Sequence, residues 1–132
     1  MVERVPPDLL AKAAAQEKWE IVDGVLHSSK TATFYLDSAI NRWLNDSDEN
    51  IRDLAGTVIE KARIPRSKFD ALRPVLHDVI SKDKGNYAGF RAACALAAHG
   101  VGEYRGEVKR VLTRFAKDKD VAIIAKSYLS KI

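Results

Sequence analysis

From about residue 32 onward, apolar side chains recur every three or four positions, the spacing that gathers them on one side of a helix. Leu36, Ile40, Trp43 and Leu44 form the first stripe and predict a helix over about 32–45. The turn Asn45-Asp46-Ser47-Asp48 then offers side-chain oxygens to uncapped N–H groups, and Ile51, Leu54, Ala55, Val58 and Ala62 make a second stripe. Pro65 stops that helix, and Ser67 with Asp70 reads as a capping signal for the next. Phe69, Leu72, Leu76, Val79 and Ile80 line this helix. Phe90, Ala93, Cys94 and Ala97 line its partner, which ends at His99-Gly100, with a glycine suited to a left-handed C-cap. A third pair follows. Val108, Val111, Leu112 and Phe115 form its first face, Lys117-Asp118-Lys119-Asp120 is the turn, and Val121, Ile124, Ala125, Tyr128 and Ile132 form its second face. Upstream, Pro6-Pro7 and the strong helix formers of residues 8–20 predict an N-terminal helix with Leu9, Leu10, Ala13 and Ala14 inward. Residues 21–31, with Gly24, Ser28 and Ser29, fit either a loop with a short helix or a brief extended piece.

Composition agrees with an all-α chain: 132 residues contain seven Gly and four Pro, with 46% apolar and 30% charged residues. That length predicts one domain over 1–132, and no run of about 18 apolar residues is present to cross a bilayer. A single cysteine, Cys94, excludes an internal disulfide, and MVERVPPDLL lacks the apolar stretch of a secretory signal, so the expected compartment is the reducing cytoplasm. The net charge of +4 is unevenly spread. Residues 1–66 carry nine Lys or Arg against eleven Asp or Glu, whereas residues 67–132 carry thirteen against seven.

Superimposing Ile51, Phe90 and Val121 aligns Ala55 with Cys94 and Ala125, then Val58 with Ala97 and Tyr128, at spacings of 39 and 31 residues. Such periods signal stacked units, each burying its apolar faces against its neighbours. The segment Leu72-Arg73-Pro74-Val75-Leu76-His77-Asp78-Val79-Ile80 resembles the L-x-P-x-L-x-x-L-L helix of HEAT and HEAT-like repeats, with Ile80 in the last place. Asp46-Ser47-Asp48-Glu49-Asn50-Ile51-Arg52-Asp53-Leu54-Ala55 is similar to the second-helix pattern D-x-D-x-x-[VI]-R-x-x-A of that family. Arg91 and Cys94 keep the Arg and small positions in the next unit, while Ala122 replaces the Arg in the last.

The resemblance covers about residues 32–132 and implies a short right-handed α-solenoid, an α-α superhelix of about three HEAT-like helix pairs plus an N-terminal helix. Its units would be 32–64, 65–100 and 101–132, with 1–31 as helix and connector. It also implies structural roles for Asp46, Arg52, Pro74 and Arg91: Pro74 bends its helix, and the Asp and Arg residues form a ladder between units. Stacked second helices would present Asp53, Thr57, Glu60, Ala92, Ala95 and Lys126 on a concave surface of the kind repeat proteins use for partners.

Candidate chemistry is sparse. One Cys and three separated histidines, His27, His77 and His99, give no metal-ligand spacing, and no phosphate-binding glycine loop is present, so no metal, cofactor or catalytic residue is expected. Cys94 lies on an apolar stripe and reads as core, and adjacent His77 and Asp78 point to different sides of a helix. Some HEAT-like proteins are alkylpurine DNA glycosylases with aromatic, Asp and Arg side chains on a concave DNA-binding surface. Trp43 reads as core and Trp19 as half exposed, and no catalytic Asp aligns. Arg110, Arg114 and Lys117, with Lys109 beside them, form a basic face opposite Val108, Val111, Leu112 and Phe115. That face is either solvated or binds phosphate or acidic protein, and interleaved aromatics for base stacking are absent. Ile123, with Leu129, is a candidate self-association contact on the last helix. The expectation is a non-catalytic protein-interaction module, with nucleic-acid binding through the basic half as the alternative and a DNA-repair glycosylase behind it.

Overall fold

Pro7, in a first turn where a missing N–H is harmless, starts α1 (Pro7–Ala15) in a computed structural model that describes residues 4–132. The helix predicted over 8–20 is two elements. Glu17 takes a left-handed conformation, φ +59°, its N–H bonding Ala14 O and that of Lys18 bonding Ala13 O, the paired bonds of a Schellman stop. The chain reverses there into α2 (Trp19–Val25), so the short helix foreseen in 21–31 begins two residues earlier. Leu10, Ala13 and Ala14 point inward as expected, whereas Leu9 is exposed.

The predicted helix over 32–45 is likewise divided, into α3 (Ser29–Phe34), α4 (Leu36–Asn41) and a 3-10 turn at Trp43–Asn45. Ser28 caps α3 by accepting the N–H of Thr31. Tyr35, at the break, is fully buried against Trp43, and its hydroxyl donates to Val5 O at 2.7 Å. α5 (Glu49–Lys61), α6 (Arg66–Lys82), α7 (Tyr87–His99), α8 (Arg105–Phe115) and α9 (Ala122–Leu129) follow the predicted stripes. Asp48 caps α5 and Asn86 caps α7. Ser67 and Asp70 do not cap α6: the helix starts after Pro65 with no side-chain cap, and Asp70 pairs with Arg73 instead. Pro74 lies on the exposed side of α6, which continues through it.

Among the described residues the fold is all-helical, with no strand. α7 is its centre, packed against α5, α6, α8 and α9, while α5 also receives α1, α3 and α4. Small residues allow that density: a Cβ on Gly56 would sit 2.8 Å from Arg91 Cβ and 3.1 Å from Ala92 N, so α5 and α7 cross almost backbone to backbone. Cys94, Ala93 and Ala95 are fully buried in the same layer. None of the described helices is long and apolar enough to cross a membrane.

Candidate functional site

On α5, Asp53, Thr57 and Glu60 stand at i, i+4 and i+7 and form one polar stripe beside the apolar face. Thr57 turns its hydroxyl back to Asp53 O, and the carboxylates meet Arg91 from α7. The Arg91 guanidinium donates to Glu60 Oε1 at 3.2 Å and lies 3.8 Å from Asp53 Oδ1. From α9, the Tyr128 hydroxyl donates to Glu60 Oε2 at 2.6 Å. Both Glu60 oxygens are therefore engaged, and its side chain is only 8% exposed.

Burial pushes the Asp53 carboxyl up to about 6, against the opposing pull of Arg91 and Thr57. Burial, followed by the charge of Glu60, also raises the Cys94 thiol, which leaves it a poor nucleophile. Above this network lies a trough of about 390 Å³, walled by Trp19 and Asp23 of α2, Tyr87 of α7, and Asp120 with Val121 before α9. It runs on, through Asp53 and Tyr87, into a hollow edged by Glu17, Glu49 and Asp118. Tyr87 donates to Asp118 across that hollow at 2.8 Å, a bond that raises its phenol to about 12.

The structure thus joins Asp53, Thr57 and Glu60, while Lys126 is exposed on α9. Ala92 and Ala95, expected on a concave surface, are on no surface: both are fully buried, because α7 is covered on several sides and its small residues sit in helix crossings. Arg91 does not repeat Arg52. Arg52 reaches forward to Asp83 in the following turn through two hydrogen bonds of 2.8 and 2.9 Å, whereas Arg91 turns back to α5. The forward bond from α7 comes from Tyr87 to Asp118 instead. Burial alone would raise the Asp83 carboxyl, but hydrogen bonds from Arg52 and Asn86 hold it below the ordinary range. Asp46 supports the same joint, its carboxylate accepting the N–H of Asp48 and its carbonyl accepting from Arg52.

Comparison with protein-family models, curated proteins and solved structures finds no match.

Trp19, Asp23, Tyr87 and Asp120 are trough residues that the repeat pattern did not mark; the half-exposed character expected of Trp19 was the one signal for them. Trp43 is core. His77 bonds Glu107 at 2.6 Å and stacks on Tyr104, and His99 donates to Ile59 O at 2.7 Å, so each joins helices. Arg110, Arg114, Lys117 and Lys109 are all exposed and, among the described residues, have no carboxylate within ion-pair distance. No group of three or more described His, Cys, Asp or Glu side chains is arranged to hold a metal.

Proposed function

We propose that this chain is a HEAT-like α-solenoid acting as a non-catalytic protein-interaction module, whose trough receives a basic segment of a partner protein. The observation that carries this reading is the trough itself: Asp23, Asp53 and Asp120 line a cavity edged by Trp19 and Tyr87, and its one lining cation, Arg91, is already paired with Glu60 and Asp53. Carboxylates and ring faces together attract lysine and arginine side chains, by ion pairing and by cation–π contact. The Arg52–Asp83 joint and the packing of α5 on α7 support the solenoid reading, since both link one helix pair to the next. A single buried cysteine suits the reducing cytoplasm.

Calorimetry with short lysine- and arginine-rich peptides tests the proposal. Binding should weaken with salt and fall about tenfold in the exposed double variant Asp23→Lys/Asp120→Lys. Affinity for nucleic acid with none for such peptides would overturn it and favour the basic half as the working surface.

A further inference from the structure

A second hollow lies across the 83–86 turn from the one that continues the trough, with Gly85 and Phe115 bordering both hollows. It is a groove of about 300 Å³ between the end of α6 and α8. Ile80, Val111 and Phe115 make its apolar floor, and Lys84, Arg110 and Arg114 stand on its rim. One acid, Glu107, also lines the groove, its carboxylate bonded to His77.

The placement of these cations is not explained by helix ends alone. Arg114 occupies the last turn of α8, where a cation is favoured, but Arg110 lies a full turn earlier. Arg114 also lies over the groove edge, where a Cβ on Gly85 would meet its guanidinium at 3.0 to 3.2 Å. Gly85, with φ +89°, thus keeps both the turn and the seat of this arginine open. Arg110 and Arg114 stand one turn apart on α8, about 6 Å at helical rise, and with Lys84 across the groove they suit several anionic groups better than one.

We propose that this groove binds an acidic peptide segment that inserts an apolar side chain between Ile80, Val111 and Phe115 while its carboxylates pair with Lys84, Arg110 and Arg114. An apolar anchor ringed by charge is the usual anatomy of a peptide contact. A nucleic-acid backbone would meet the cations but leave the floor unused, and Phe115, 6% exposed and packed on Tyr87 and Phe90, leaves little ring for a base to stack on. The groove is a surface in addition to the trough, and its partner has the opposite charge.

Fluorescence anisotropy with labelled glutamate-rich peptides bearing a central Leu, Phe or Trp tests this on the full chain, beside an oligoglutamate without an anchor and an oligonucleotide of equal charge. Anchored peptides should bind about tenfold more tightly than oligoglutamate, and Arg110→Glu/Arg114→Glu should remove about tenfold or more of that affinity. Circular dichroism and melting confirm that the variant is folded, and Arg110→Gln/Arg114→Gln should give a smaller loss in the same direction. Failure of every anchored peptide to bind, equal binding without the anchor, indifference to the arginine variants, or tighter oligonucleotide binding would each overturn the proposal. Asp23→Lys/Asp120→Lys should leave this affinity unchanged, so the trough and the groove can fail separately.

Discussion

The trough and the groove both concentrate charge around a hollow, yet they are built in contrasting ways. Under the trough, Glu60, Arg91 and Tyr128 tie α5, α7 and α9 together below the surface. Around the groove, Lys84, Arg110 and Arg114 are exposed. Charge in the first place is part of the fold, and charge in the second is added to it. Substitutions should therefore separate stability from recognition at the groove and couple them at the trough's floor, beneath its exposed Asp23 and Asp120.

The largest expected effect is at Glu60. Glu60→Ala leaves Arg91 with only its longer contact to Asp53 and removes the acceptor of Tyr128, and chemical denaturation should show a loss of about 3 kcal/mol or more. Next is Arg52→Ala, which strips the buried Asp83 of two hydrogen bonds and should cost about 2 kcal/mol in the same measurement. A smaller loss there than in an exposed arginine variant would show that the joint is not structural.

Asp53 sharpens the contrast through pH. Its carboxyl titrates at about 6 in the folded chain and near 3.8 when unfolded, so between those values the folded state holds more protons. Stability should rise, by on the order of 2 kcal/mol, as pH falls from about 7 to about 4. The depressed Asp83 acts in the opposite sense only below the ordinary carboxylate range, where its contribution is lost as it protonates. Asp53→Asn should flatten the rise and increase the melting temperature near neutral pH. An unchanged pH profile in that variant would remove the assignment.

Smaller effects follow at the edges. Glu17→Gly relieves a left-handed residue and should stabilise by about 1 kcal/mol, because glycine adopts that conformation without a Cβ clash. Arg110→Glu should change stability by less than about 0.5 kcal/mol while altering binding, the reverse of the pattern at Glu60. Ile123 is 86% exposed, and we propose it as a self-association contact; sedimentation at high concentration should show association reduced by Ile123→Lys.

The helices from α5 to α9 were legible because their apolar stripes, polar turns and breakers agree with one another. The stop after α1 was not, since the left-handed position is filled by Glu17 where a glycine would have announced it. The break at Tyr35 was hidden for another reason: its hydroxyl is tethered to Val5, a contact that no local pattern encodes. The inner side of the trough was visible in part, as the polar stripe Asp53, Thr57 and Glu60. Its outer wall was not, because Trp19, Asp23 and Asp120 come from segments far from α5 in sequence. Ala92 and Ala95 were misplaced because an alanine-rich helix carries too weak a moment to reveal that both of its sides are covered.

The hydrogen bond from Tyr128 to Glu60 spans 68 residues of chain. A polypeptide leaving the ribosome N-terminal end first holds the paired Glu60 and Arg91 well before Tyr128 emerges to complete their setting. The trough's floor is consequently assembled from three segments made one after another, and it is complete only once residues 60, 91 and 128 are all in place.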